Sequence, residues 1–566
     1  MKSCRSSVLI IAVVVTILTS SLATAQLTAE KIAATNKILQ QTKATISKMS
    51  PSRQMLLGGY ANISNLADRW PTYGMRMLDP SFSPLALAPK GAPTPADNGH
   101  GLIPVSNPAT DIAFSAFGGF TQSTTSTARC GDSVVVGYDD SGSVFETPFF
   151  FTGTGGESLS GSSYSSDGGR HFTDIGPINP GPTLYNFLGG DPVVTCADAH
   201  TFYVSQIFLY DDANLNPFGA IAVNASTDGG KTWNDPVAAI AKSGLTHVLD
   251  KPWSAIDPSN HKRMFVSYTD FDYSMASAAC GSTTRTAIEF VESDDGGVTW
   301  SSTPQIAIQV CGSADVDGSQ IVVSSKGTVY VSWVNYGSNA PLGPRTIQIS
   351  SYASGKLSAP VTVEPALQPG GDSYYLQGEF HDGVEMAMAI DHSGTSTDGF
   401  LYITWADGRD KTVSDPFALQ GFYAYDDVLL RASYDGGNTW GGPVKVNSDF
   451  QSHVASGHDH YQPGVAVDNH GRVAVCWYDR RADWENFAIR RHCGVSSTDG
   501  THFSDNDIGL DGFAPTHGND LLIGPAYMGD YDQLTSDFLN SKCGFIGSFQ
   551  TQTNRGNPDV LAYSIE

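Results

Sequence analysis

The chain has 566 residues, with 57 acidic against 32 basic side chains, a formal net charge of −25, and only 16% charged residues. An acidic surface of this size argues against nucleic acid and anionic membranes as partners, because both would be repelled. Low charge density and 59 glycines point instead to a large, rigid extracellular β protein.

Residues 1–25 have the layout of a secretory signal. Lys2 and Arg5 form a basic start, Val8 to Leu18 an apolar core, and Ala23-Thr24-Ala25 a small-residue cleavage site. The apolar run is too short to span a bilayer and no second one follows, so no transmembrane segment is expected. Without Lys2 and Arg5, 57 acids face 30 bases and the net charge becomes −27. Residues 26–100 follow as an arm. Ile32, Ile38, Leu39 and Ile46 recur at helical spacing up to about residue 48, and a Pro- and Gly-rich irregular stretch succeeds them.

Residues 101–566 repeat one device, Ser-x-Asp-x-Gly-x-x-(Trp/Phe). The copies are Ser165-Ser-Asp167-Gly-Gly169-Arg-His-Phe172, Ser226-Thr-Asp228-Gly-Gly230-Lys-Thr-Trp233, Ser293-Asp-Asp295-Gly-Gly297-Val-Thr-Trp300 and Ser433-Tyr-Asp435-Gly-Gly437-Asn-Thr-Trp440, with a shortened Ser497-Thr-Asp499-Gly500-Thr-His-Phe503. Each lies between β-rich runs and reads as a hairpin turn, in which Asp bonds its own backbone and the aromatic plugs the hairpin base. A turn repeated at intervals of about one four-stranded sheet specifies radial repetition: an all-β, seven-bladed β-propeller, with six blades as the alternative.

The units share a grammar. Inner strands open near Asp191, Asp250, Asp317, Asp382, Asp459 and Asp530; second strands follow, as in Val329-Tyr-Val-Ser-Trp333 and Leu401-Tyr-Ile-Thr-Trp405. An earlier unit lacks the opening Asp but contains Ser133-Val-Val-Val-Gly-Tyr138, and the unit from Asp317 to Val363 lacks the Asp turn. The last unit runs out of chain after Asp559-Val-Leu-Ala-Tyr563. Leu102-Ile-Pro-Val-Ser-Asn107 resembles the outer strand Gly442-Pro-Val-Lys-Val-Asn447, so it is expected to complete that unit and close the ring.

Cys4 leaves with the signal, and seven cysteines remain. Cys476 with Cys493 is the best local pair, Cys280 with Cys311 and Cys130 with Cys196 follow, and Cys543 is left over. No Cys or His spacing suits zinc, whereas disulfides suit an oxidising compartment.

Strand alternation puts the Asp turns (Asp167, Asp228, Asp295, Asp435, Asp499) on one face as scaffold. The entries to inner strands and the loops after second strands lie on the other face, around the channel mouth. There the six opening aspartates are joined by Asp270, Asp407, Arg409, Asp479, Arg480, Arg481, His381, His458, His460, Tyr531 and Asp532. Crowded carboxylates drive their pKa values apart, giving an acid and a base from one residue type. Candidate catalytic residues are therefore Asp382, Asp459, His381, His460, Asp530 and Tyr531, with Arg409, Arg480, Asp479 and Asp407 binding substrate. The bland alternatives are turn-capping aspartates and inter-blade Arg–Asp pairs. The acidic ring also suits a hard cation such as Ca²⁺, although no EF-hand-like loop is present and no cofactor is assigned.

On the five Asp turns and the Trp-x-Asp-x-Arg of Trp405-Ala-Asp407-Gly-Arg409, the chain resembles the sialidase-like superfamily, also called BNR or Asp-box repeat proteins. The resemblance runs from about residue 100 to the C-terminus and implies a propeller of glycan-acting or glycan-binding type. A sialidase proper carries an arginine in an aromatic-Arg-Ile-Pro motif; here Gly101-Leu102-Ile103-Pro104 has Leu at that place. Arg409, Arg480 and Arg555 are the other guanidinium sources. The function expected is that of a secreted glycoside hydrolase or lyase acting on an extracellular glycan at the channel mouth. Alternatives are a non-catalytic glycan- or protein-binding propeller and a cell-envelope structural protein docked through the arm.

Overall fold

The computed structural model describes residues 101–565 apart from 108–120, 144–146, 148–154, 184–185, 215, 339–344, 372–374, 377–379, 382–385, 416–420, 449–456, 484–485, 498, 509–511, 514–526 and 553–557. The expected signal and helical arm lie outside the described residues. All the elements described are strands; they form seven blades and one separate two-stranded ladder, Tyr375–Leu376 with Phe380–His381.

Blade 1 comprises Gln122–Cys130, Ser133–Asp140, Ser160–Ser165 and Thr173–Pro177. Blade 2 runs from Phe187–Cys196 to Val237–Ser243, blade 3 from His247–Asp257 to Gln305–Cys311, and blade 4 from Asp315–Val323 to Val361–Leu367. Blade 5 spans Met386–Ile390 to Val444–Lys445, and blade 6 His460–Val467 to Ser504–Asp507. Blade 7 takes Leu534–Ser536, Phe545–Gln552 and Pro558–Ile565 from the end of the chain and its outer strand, Ile103–Pro104, from the beginning. Ile103 pairs with Ala562 and Pro104 with Leu561, and Val105 N donates to Val560 O. The ring closes as the sequence pattern requires.

Second strands are apolar on both faces because each blade is sandwiched between two others. Trp333, Trp405 and Trp477 take the fifth place of these strands in blades 4, 5 and 6 and are fully buried, each packed in the cluster shared with the preceding blade. The Asp turns act as spacers between blades. In the second one, Ser226 Oγ donates to Asp228 Oδ1 (2.8 Å), and Asp228 Oδ1 accepts from Lys231 N (3.1 Å) and Thr232 N (3.0 Å). A Cβ on Gly230 would come 2.4 Å from Val135 of blade 1, so only glycine lets the turn lie on its neighbour. In the shortened turn Gly500 N bonds Ser496 Oγ, so Ser496 takes the place expected of Ser497. Blade 4 replaces the turn with Ser354 (φ 51°) and Gly355 (φ 73°), a tight hairpin between Ala353 and Lys356.

Three disulfides form as expected. Cys130–Cys196 joins the inner strands of blades 1 and 2, Cys280–Cys311 fastens blade 3, and Cys476–Cys493 crosses adjacent strands of blade 6. Cys543 is free and exposed.

Candidate functional site

Five inner strands carry the same irregularity at the mouth. In each, pairing with the second strand skips two residues on the inner strand: between Ser123 and Ser126, Gly190 and Val193, Asp250 and Trp253, Asp317 and Gln320, and Tyr461 and Gly464. The first skipped residue always has positive φ: Thr124 (51°), Asp191 (54°), Lys251 (46°), Gly318 (68°) and Gln462 (47°). These are β-bulges, and four of them hold a non-glycine residue in a strained conformation of the kind that collects at functional sites. They also correct the alignment of the aspartates. Asp250 and Asp317 are equivalent, Asp191 sits one place further on, at the position of Lys251, and Asp459 lies two places before the position of Asp250.

Four of the opening aspartates nevertheless converge. Lys251 Nζ meets Asp530 Oδ2 at 2.9 Å, with Asp530 buried and Lys251 mostly so. Asp139, at the end of the second strand of blade 1, accepts from Asp191 N (2.8 Å), which ties blade 1 to blade 2. Thr124 Oγ1 bonds Tyr527 OH (2.9 Å) and accepts from Asp530 N (3.2 Å), and Tyr527 OH donates to Asp530 Oδ2 (3.2 Å). Thr269 Oγ1 donates to Asp317 Oδ1 (2.7 Å) and Lys251 N to Asp250 Oδ1 (2.7 Å). Tyr531 packs edge-on against Trp253 (5.2 Å between centroids), and its hydroxyl donates to Pro192 O (3.3 Å).

Burial pushes the Asp139 carboxyl up to about 8, with the charge of Asp530 adding to it and hydrogen bonds opposing. Burial likewise lifts Asp317 to about 7, assisted by Asp250. Asp191 is held well above the usual carboxylate range by burial, against the pull of Lys251. Tyr527 and Tyr531 are raised by burial and by the same carboxylates. Among the described residues, the Lys251 ammonium thus faces the carboxyl groups of Asp139, Asp191, Asp250, Asp317 and Asp530. Below them a channel of about 190 Å³ runs between the inner strands, with Trp253, Asp530 and Tyr531 among its lining residues and Phe538, Asn540 and His392 contributed from the Asp-turn side.

The remaining candidates form a second group between blades 5 and 6. The Asp459 carboxylate accepts from Tyr423 OH (2.7 Å), Asn486 Nδ2 (2.7 Å) and Arg480 Nη1 (3.5 Å). His460 is fully buried, with Nδ1 on Asp426 O (2.8 Å) and Nε2 3.4 Å from Asp479. Asp407 accepts from the Trp405 indole (2.9 Å) and Arg409 Nε (2.7 Å), and Arg409 also reaches Glu364 of blade 4 (3.2 Å). Asp479 repeats this with Trp477 (2.8 Å) and Arg481. Asp270 is surrounded by Lys242, His247 and Arg285, each at 2.8 Å. His381 N-terminal to blade 5 belongs to a two-strand ladder with Tyr375; its side chain and Asp382 lie outside the described residues. Sequence reasoning missed Asp139, Lys251 and Thr124. The available signal was the X-Pro pair in Asp191-Pro192, Lys251-Pro252 and Gln462-Pro463, which marks the bulge. Among the described residues no set of three or more His, Cys, Asp or Glu side chains is disposed to hold a metal ion.

No protein-family model and no curated protein matches the sequence. Solved structures similar in outline include an ulvan lyase of polysaccharide lyase family PL25 (12% identity, TM-score 0.44, covering 85% of this chain and 96% of that one). Another is the GH93 α-L-arabinofuranosidase of Fusarium graminearum (11%, TM-score 0.40, 82% and 97%). A Hadza microbial sialidase also matches (12%, TM-score 0.37, 68% of this chain and 66% of that one). The fold itself is a seven-bladed β-propeller. At this identity the likeness brings neither activity nor substrate to this chain.

Proposed function

We propose that the protein is an exported glycoside hydrolase that works at the channel mouth. The observation that carries this reading is the split among neighbouring carboxyls. Asp317 and Asp139 keep their protons to about 7 and 8, while Asp530 is ion-paired to Lys251. An acid and a base of one residue type, side by side at neutral pH, are what glycosidic cleavage needs. Asp317 or Asp139 gives its proton to the glycosidic oxygen as the C–O bond breaks. Asp530 takes a proton from the water that adds to the sugar carbon. Tyr531 and Trp253 offer ring edges at the same place. Asp459 and His460, locked between blades 5 and 6, position the wall of the mouth; Asp382 and His381 join the site on sequence grounds. Arg409, Arg480, Asp407 and Asp479 brace blades here rather than clamp a substrate.

Export is supported by the three disulfides and by the signal layout of residues 1–25. No helix among the described residues is long and apolar enough to cross a membrane. The test is turnover by the purified mature chain on aryl-glycosides and polyuronates, with and without chelator. Loss in Asp317→Asn and Asp530→Asn is expected. An unsaturated product from a uronate would make the protein a lyase instead. The burial of the cluster favours a second reading, a non-catalytic glycan-binding propeller, which stands if ligands bind and no bond is cleaved.

A further inference from the structure

Strand alternation turns one arginine of blade 6 inward. In Arg490–Ser496, Arg490 reaches Asp507 at the surface (2.8 Å). Ile489, Arg491 and Cys493 share the opposite face, where the apolar cluster between blades 6 and 7 holds Tyr478, Phe549 and Tyr563. Arg491 is fully buried there. Its guanidinium lies over the Tyr478 ring (4.7 Å) and faces the Phe549 ring of blade 7 (5.8 Å). Rings engage the flat faces of a guanidinium, whereas its N–H bonds point outward in the plane and need acceptors.

Those acceptors are missing. Among the described residues none of Arg491 Nε, Nη1 and Nη2 has a hydrogen-bond partner. The carboxylate that approaches, Asp532 of blade 7, stands 3.9 Å from Nη1. Asp532 Oδ2 is itself without a partner, and Oδ1 accepts from Thr125 Oγ1 (2.8 Å). Tyr563 OH, on the last strand of blade 7, lies within the field of both Arg491 and Asp532 and also makes no hydrogen bond. A guanidinium edge and a phenol thus face a single carboxylate oxygen that sits beyond bonding distance. A permanently charged group left dry and unbonded is costly to bury. The deficit is of acceptors, so a species that accepts and does not donate removes it; water would bring further donors. Burial also lifts the Asp532 carboxyl, which favours its neutral form beside a negative guest. Arg491, Tyr478, Phe549, Tyr563 and Asp532 are each at most 3% exposed, so the guest is small and shut off from solvent.

We propose that a small monovalent anion, chloride in an exported chain, binds between blades 6 and 7 and accepts from Arg491 and Tyr563. It fastens blade 6 to the blade built from both ends of the chain, so closure of the ring depends on the ion. The site is independent of the hydrolase reading and needs no substrate at the mouth.

The experiment is a thermal-midpoint titration of the full mature chain with sodium chloride or bromide against sodium gluconate, at constant ionic strength. Chloride and bromide should raise the midpoint saturably, and gluconate should not. Tyr563→Phe deletes one hydroxyl donor and keeps the packing, and should raise the half-saturating chloride concentration by about ten-fold. Arg491→Gln should abolish saturation; should that variant not fold, Tyr563→Phe decides. Chloride should also slow amide exchange in Arg490–Ser496 and Pro558–Ile565 more than in Arg285–Ser293 of blade 3. A response that gluconate reproduces, or that Tyr563→Phe leaves unchanged, would overturn the proposal, as would protection gained evenly over all blades.

Discussion

Lys251 of blade 3 and Asp530 of blade 7 meet at 2.9 Å across the mouth, from blades as far apart as a seven-membered ring allows. The contact exists because a bulge turns Lys251 inward at φ 46°, and because Tyr527 and Thr124 fix Asp530 from the other side. Both partners are largely buried, so removing one leaves the other charged and dry. Lys251→Met should lower unfolding free energy by about 3 kcal/mol, and Asp530→Asn by less, since the amide keeps its bond to Tyr527. Denaturant midpoints for the two single variants and the double variant give the coupling. A coupling near zero would make the contact incidental; about 1.5 kcal/mol or more is expected.

The same cluster sets the response to pH. Asp317 and Asp139 have folded-state values of about 7 and 8, above the ordinary value of 3.8 that they regain on unfolding. The folded chain therefore binds more protons than the unfolded one between about pH 4 and 8. Stability from these groups is fully present below that window and drains away as pH rises through 7 and 8. Glu157, raised to about 8 by burial alone, acts in the same direction. Thermal midpoints should fall from pH 5 to pH 8.5. Glu157→Gln and Asp317→Asn should each flatten the fall, gaining most at the alkaline end. Because Lys251 opposes the rise at Asp139 and Asp317, Lys251→Met should move the alkaline limb of any activity profile upward.

The ring was legible in the sequence because its signals are local. A Ser, an Asp and a Gly within five residues satisfy one another's hydrogen bonds, as in Ser226 Oγ to Asp228 and Gly230 N to Ser226 Oγ, so the turn reads without knowledge of its surroundings. Closure by residues 102–107 was legible for the same reason, as an outer-strand pattern with no blade of its own. The mouth was less so. Its register depends on which residue takes positive φ, and Asp191, Lys251 and Gln462 share no side-chain character; only the proline after each is common. Asp139 escaped notice because it ends a second strand and was not at the start of an inner one. The pairing of Lys251 with Asp530 links residues 279 apart in sequence, and no local pattern encodes that.

Cysteine chemistry gives a direct count. With three disulfides formed and Cys543 exposed, one thiol per mature chain should react with a thiol reagent without denaturant, and none should react in Cys543→Ser. The Cys130–Cys196 bridge closes the longest loop, with a sequence separation of 66, and staples two blades through their inner strands. Its removal by paired alanines should cost about 4 kcal/mol, against about 3 for Cys476–Cys493 with a separation of 17. A Cys543→Ser midpoint equal to the parent's, with both bridge variants lower, is the expected order.

Ring closure rests on a short strand. Ile103–Pro104 pairs with the last strand of the chain, and flanking Leu102 and Val105 are buried against the blade 6 and blade 1 sides of blade 7. Asn107 N donates to Asp174 Oδ2 of blade 1 (2.9 Å), and Ser163 Oγ of blade 1 donates to Val105 O (2.8 Å), so hydrogen bonds also fasten this segment to blade 1. Val105→Ala removes two methyl groups from a fully enclosed position and should cost about 2 kcal/mol. Leu102→Ala should cost about 3 kcal/mol. Beginning the chain after residue 107 would leave the edge of Pro558–Ile565 unpaired, an invitation to pair with another copy. That truncated chain should therefore show early loss of hydrogen-exchange protection in blade 7 and self-association in sedimentation. Unchanged protection there, with the other blades intact, would mean that the strand ornaments the ring and does not close it.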